Sequence, residues 1–240
     1  SLGNREILSA YGIKVEKNND WIDNNIKKSA KVAAGYGYYE SSARNDSSQI
    51  INSNRLNISL ERSHSYPIWN PEIKDNIVSD YKYIPSPINK GLNFNIKTMF
   101  DFFRYENYDF QNLYTFKAGP ELTLGNFKNK FLDYSQFSIY PKLTLAMGKS
   151  PFGFDQSVDN HAIELSFDQQ LFGPLTLKYI TEFNLDINSP NYKEFYNSQY
   201  ELNLNRRAYK IGFFYNEGSK SGGINFKIHM FNFDGLGSEF

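Results

Sequence analysis

The chain has 240 residues, and Lys plus Arg equals Asp plus Glu at 26 each, so no net field recruits nucleic acid or an acidic polymer. With no cysteine, it has neither a disulfide framework nor a thiolate metal site nor a thiol nucleophile. No run of 18 apolar residues exists, which excludes a transmembrane helix in this sequence.

The opening stretch, SLGNREILSA, lacks an initiator Met and a signal-peptide pattern, so the chain is expected to be a mature product or an excised fragment. Weakly alternating segments follow at Ile7 to Val15, Val32 to Tyr38 and Leu56 to Leu60. Residues 62–90 carry Pro67, Pro71, Pro85 and Pro87 and read as a long irregular loop. Beyond it, period-two alternation is clear at Leu92 to Phe102, Tyr114 to Leu124 and Phe137 to Met147. It continues at Ile163 to Leu171, Leu175 to Ile187, Tyr200 to Leu204, Tyr209 to Tyr215 and Ile224 to Met230. The expectation is a single all-β antiparallel domain over residues 1–240, with about 10 to 12 strands.

Parity predicts the turns. Leu171 is expected opposite Leu175 around Phe172, Gly173 and Pro174, with Phe167 opposite Tyr179 and Ile163 opposite Phe183. The apolar set changes from even (Leu202, Leu204) to odd positions (Tyr209, Ile211), so a tight turn carrying Arg206 and Arg207 is expected at Asn205 to Ala208. The last hairpin is expected to pair Tyr215 with Ile224, Phe213 with Phe226, Ile211 with Ile228 and Tyr209 with Met230. Connections 148–160 and 188–197 are long where these turns are short, as in transmembrane barrels.

One face of these strands collects Phe167, Leu171, Leu175, Leu177, Tyr179, Phe183, Tyr209, Ile211, Phe213, Tyr215, Ile224, Phe226, Ile228 and Met230. The other collects Lys97, Asp101, Lys117, Glu121, Lys142, Glu164, Asp168, Lys178, Glu182, Asp186 and Lys227. In a soluble fold the first set is the core; in a membrane barrel it meets lipid while the second lines a wet lumen. Strand length favours the barrel, since crossing a bilayer takes about 9 to 11 residues against about 5 to 6 in an ordinary strand. Aromatic content of 17% beside a mean hydropathy of -0.57 fits alternating strands better than continuous buried runs. Pro120 and Pro141 are expected opposite one another, in the register that aligns Leu122 with Ile139, making a weak seam because neither donates an N–H.

The segments SPFGFD, FDQQLFGPLTL and ELNLNRRAYKIGFFYNEGSKSGGINFKIHMFNFDGLGSEF resemble the closing strands of cyanobacterial outer-membrane proteins related to the lipopolysaccharide-assembly protein LptD. The resemblance covers about residues 148–240. It implies a bacterial outer-membrane barrel that inserts lipopolysaccharide or another lipid, with a periplasmic transport bridge as partner. It implies too that Phe240, a terminal aromatic, is the signal read by the barrel-insertion machinery. That family's barrel is larger than 240 residues can build, so the chain is expected to be a C-terminal part of one or a small relative. Proteobacterial members carry paired cysteines where Arg206 and Arg207 stand here, so disulfide-controlled assembly does not carry over.

Chemistry is not expected. His64, His161 and His229 show no metal-ligand spacing, GSKSGG sits in a hairpin and not before a helix, and no catalytic residue or cofactor is assigned. A passive porin-like channel and a soluble β module that binds a ligand remain the alternatives.

Overall fold

Alternation in the sequence becomes, among the described residues, eleven antiparallel strands in one sheet, each hydrogen-bonded to its neighbours in chain order. The structure is a computed structural model that describes residues 7–43, 48–71, 83, 88, 90–106, 109–125, 127, 129–152, 160–189, 191–217 and 221–228. The strands are β1 (Ile7–Asp23), β2 (Ile26–Ser42), β3 (Ile50–Trp69), β4 (Gly91–Tyr105), β5 (Phe110–Gly125) and β6 (Tyr134–Gly148). There follow β7 (His161–Phe172), β8 (Leu175–Asn184), β9 (Phe195–Asn205), β10 (Tyr209–Asn216) and β11 (Ser221–Ile228). Among the described residues the sheet is not closed: β1 pairs only with β2 and β11 only with β10, so the barrel expected from the pattern appears here as an open sheet.

Turn chemistry fixes the register. Asn24 and Asn25 join β1 to β2 with φ of 50° and 63°, the positive pair a two-residue hairpin of the I′ kind requires and Asn tolerates. Gly173, with φ 51°, and Pro174 form the β7–β8 turn, so Phe172 and not Leu171 faces Leu175. Leu171 is the extra residue of a bulge, while Phe167–Tyr179 and Ile163–Phe183 pair as the parity argument requires.

Other expectations shift. The proline-containing segment 62–90 is not loop from its start, because β3 runs on to Trp69 with Pro67 opposite Asn93 and a bulge beside it; most of the remainder lies outside the described residues. Asn205 stays in β9 opposite Lys210, leaving Arg206, Arg207 and Ala208 as the connection. The last hairpin slides by two residues: Tyr209 meets Ile228, Ile211 meets Phe226, Phe213 meets Ile224 and Tyr215 meets Gly222. Asn216 opposite Ser221 shortens the loop, a slip parity permits because a two-residue shift keeps every side chain on its face. Met230 and Phe240 lie outside the described residues. Short turns and long loops segregate to opposite ends only in the C-terminal half, since segment 70–90 opens at the same end as the two-residue turns.

The apolar stripe crosses the ladder obliquely. Val15 is in register with Ala34, then Ile58, Phe102, Asn112 and Met147, so the stripe on β1 falls level with the last apolar residue of β6. From the other edge, Phe226 is in register with Ile211, Leu204 and Leu175, a row that passes beyond the opposite end of β6. The stripe thus advances by about one to two residues per strand, the stagger that sets strands at roughly 45° to a common axis.

Candidate functional site

The two faces of this single layer are unlike in burial as well as in chemistry. A flat single sheet exposes both faces alike; here the buried side chains are mostly polar, among them Gln170, Asn203, Ser138, Thr144, Asn95 and Thr123. Large apolar residues are the exposed ones, including Ile13 at 77%, Met147 at 67% and Ile224 at 68%. The polar face is therefore the inside of a curl. Only sequence-adjacent strands approach backbone to backbone, and among the described residues no second layer covers the apolar face.

Curling brings next-but-one strands together over the polar face. Lys117 on β5 donates to both carboxylate oxygens of Glu164 on β7 at 2.8 and 2.7 Å, and Lys142 on β6 does the same to Glu182 on β8 at 2.7 Å. Directly opposite neighbours carry like charges, Lys117 facing Lys142 and Glu164 facing Glu182. Such contacts destabilise a ladder, and the interlaced pairs offset them.

Beside this quartet Tyr140 donates to Glu121 at 3.0 Å and accepts from Asn95 at 2.7 Å, reaching past Gly119, which stands between them in the sheet. A Cβ at Gly119 would collide with the Ile139 carbonyl oxygen, so the close approach requires glycine. Lys97 and Lys117 lie 5.9 and 5.8 Å from the Tyr140 ring. Ser59 donates a short bond to Asp101, Asp168 stands opposite Lys178, and Lys178 opposite Glu201. The structure thus places Lys97, Asp101, Lys117, Glu121, Lys142, Glu164, Asp168, Lys178 and Glu182 on one face. Lys227 is opposite Lys210.

Asp186 is a correction. β8 ends at Asn184, and Asp186 lies buried in the β8–β9 connection, where its carboxylate accepts the N–H groups of Asn160 and Asn188 at 3.0 Å each. Those two backbone donors, Asn160 first, hold its carboxyl below the usual aspartate range. It ties two loops together and does not line the polar face.

At the end of the sheet that carries the 149–160 connection, residues after β6 fold inward. Phe152 bridges to Ala43 beyond β2 and is fully buried, with its ring 6.3 Å from Tyr39 and 5.9 Å from Tyr105. Arg55 stacks 4.2 Å from the Tyr39 ring and donates to its hydroxyl at 2.9 Å. Sequence reading missed this cluster and Tyr140; inward parity was available for Tyr39, Arg55, Tyr105 and Tyr140, whereas nothing local marks Phe152.

On the apolar face Phe213, Tyr215, Ile224, Phe226 and Ile228 are exposed, and Phe167, Leu171, Leu175, Leu177, Tyr179, Phe183, Tyr209 and Ile211 are half-exposed. Aromatic neighbours stack across strands, Phe137 on Phe167 at 4.8 Å and Tyr179 on Tyr200 at 4.9 Å. Leu122 pairs with Phe137, not Ile139, so Pro120 and Pro141 are offset by two residues instead of opposed. Both still border one gap, because the β5–β6 ladder is interrupted between Lys117–Lys142 and Glu121–Ser138 while Phe94–Pro120 and Pro141–Ile163 pair on either side. Arg206 and Arg207 are exposed at their turn.

A family profile described as "Protein of unknown function (DUF3769)" matches residues 1–232. No curated protein and no solved structure matches the chain.

Proposed function

The chain belongs to that DUF3769 family, and we propose that it forms part of the wall of a transmembrane β-barrel in a bacterial outer membrane, where it serves lipopolysaccharide or lipid transport to the outer leaflet. One observation carries the membrane reading: the sheet exposes its large apolar side chains on an uncovered face and gathers the Lys117–Glu164 and Lys142–Glu182 pairs on the concave one. In water that distribution exposes a greasy surface far larger than a monomer tolerates; in hydrocarbon it is the stable arrangement. The oblique stripe supports the same reading, since tilted strands need it to hold a band at constant depth. The lipid cargo rests on the resemblance of residues 148–240 to LptD-type closing strands, and the insertion machinery and a periplasmic bridge are the partners that go with it.

An open edge in hydrocarbon leaves backbone donors and acceptors unsatisfied, so the barrel is completed by further strands. In an eleven-strand meander β1 and β11 run the same way, and direct closure would make a parallel seam in an otherwise antiparallel sheet. An odd number of added strands restores antiparallel pairing at both edges and gives the even total usual for such barrels.

The test is photo-crosslinking in cells from a reactive side chain at Tyr140 on the concave face, with the full-length gene product. The reading expects the protein in the outer-membrane fraction, heat-modifiable on a gel, with a lipopolysaccharide adduct at Tyr140. Steady ion conductance in a planar bilayer without any lipid adduct points to a passive channel instead. Recovery of folded protein in buffer without detergent contradicts the membrane reading altogether.

A further inference from the structure

Charge on the apolar face is confined to a few places. From β5 to β11 that face carries no charged side chain among the described residues, and Glu40 and Arg104 lie at one end of β2 and β4. The exception is the other end of β1–β3, where Lys28 faces His64 in register, Ala30 faces Arg62 in the next row, and Lys17 faces Val32 in the one after. Asp23, which accepts from Lys28 at 2.6 Å, is the only acidic side chain on this part of the face. Lys17 and Arg62 are exposed and have no acidic partner among the described residues. Trp21 is in register with Lys28, and Tyr66 and Trp69 continue the rim on β3. The apolar band begins in the row of Lys17 with Val32, Leu60 and Phe100.

We propose that this cluster binds the phosphate-bearing headgroup of an anionic membrane lipid on the outer wall of the sheet, with its acyl chains along Val32, Leu60 and Phe100. Three features fit that occupant and no neutral one. Two unpaired cations sit beside a half-buried imidazole, aromatic side chains mark an interfacial depth, and the apolar surface of Val32, Leu60 and Phe100 adjoins the charges. Arg62, flanked in its row by the small Ala30 and by Thr98, has its guanidinium open to bidentate phosphate contact. On the opposite face the nearby Lys14 and Lys31 share Glu16 at 3.0 and 3.1 Å, and Glu61 stands opposite Lys31. The inference rests on the membrane reading of the apolar face but is separable from it.

The experiment is quenching of Trp21 in the full-length protein, engineered to hold Trp21 as its sole tryptophan and reconstituted in phosphatidylcholine vesicles containing brominated phosphatidylglycerol or brominated phosphatidylcholine. The relative binding constant of anionic over zwitterionic lipid at Trp21 should be about fivefold or more, a factor equivalent to roughly 1 kcal/mol, the contribution of a single basic side chain near an anionic surface. It should fall towards one in Lys17→Gln/Arg62→Gln and persist in Lys14→Gln/Lys31→Gln. A ratio near one in the unsubstituted protein overturns the proposal, as does a ratio that both double variants reduce equally. Absence of quenching by either brominated lipid overturns the membrane reading itself.

Discussion

At the residue scale the interlaced quartet gives the sharpest expectation. Removing Glu164 takes from Lys117 the carboxylate it is bonded to and leaves it beside Lys142, so Glu164→Gln is expected to cost about 1–2 kcal/mol, between the values of an exposed and a buried pair. Urea unfolding in detergent micelles checks the loss, and Lys117→Met/Glu164→Leu should recover much of it. Asp186 supplies a pH dependence. Its folded-state carboxyl titrates below the unfolded one, so its stabilisation is present above the unfolded value and is lost as pH falls through the folded value. Amide protection in the 185–194 connection, taken relative to the intrinsic exchange rate at each pH, should therefore fall on acidification through that window, and Asp186→Asn should abolish the change. Parity in the sequence placed the charged side chains on one face, but not who pairs with whom. Lys117 and Glu164 are 47 residues and two strands apart, and their meeting depends on a curl that no local pattern encodes.

At the scale of the element, the ladder between β5 and β6 is the weak place. Prolines at 120 and 141 remove two donors from a single gap, so the amides of Ala118, Gly119, Ile139 and Tyr140 should exchange faster than those of the flanking pairs. Pro120→Val with Pro141→Val should slow them, whereas Gly119→Ala should destabilise by about 1–3 kcal/mol through overpacking against Ile139. The prolines themselves were legible as ladder breakers. Their relative offset was not, because a slip of two residues changes no side chain's face and alternation is blind to it. The final hairpin shows the same blindness: Phe213 meets Ile224 and not Phe226, although both choices stack apolar on apolar. β3 illustrates the opposite difficulty, since Pro67 suggested loop but the strand absorbs it beside a bulge.

For the whole molecule, an all-β antiparallel sheet and its number of strands among the described residues were readable because long period-two segments leave few other architectures. The curl was not readable, because it brings together residues far apart in the chain, such as the inward Phe152 with Tyr39 on β2 and Tyr105 on β4. The account stands on one claim, that the uncovered apolar face meets hydrocarbon. Spin labels placed singly at Leu145 and Phe213 on that face and at Ser166 and Gln136 on the other test it most directly, through collision with oxygen or with a water-soluble nickel complex in vesicles. High oxygen and low nickel accessibility at Leu145 and Phe213, reversed at Ser166 and Gln136, is the predicted result. Nickel access at Leu145 and Phe213 equal to that of a free label in water would contradict it.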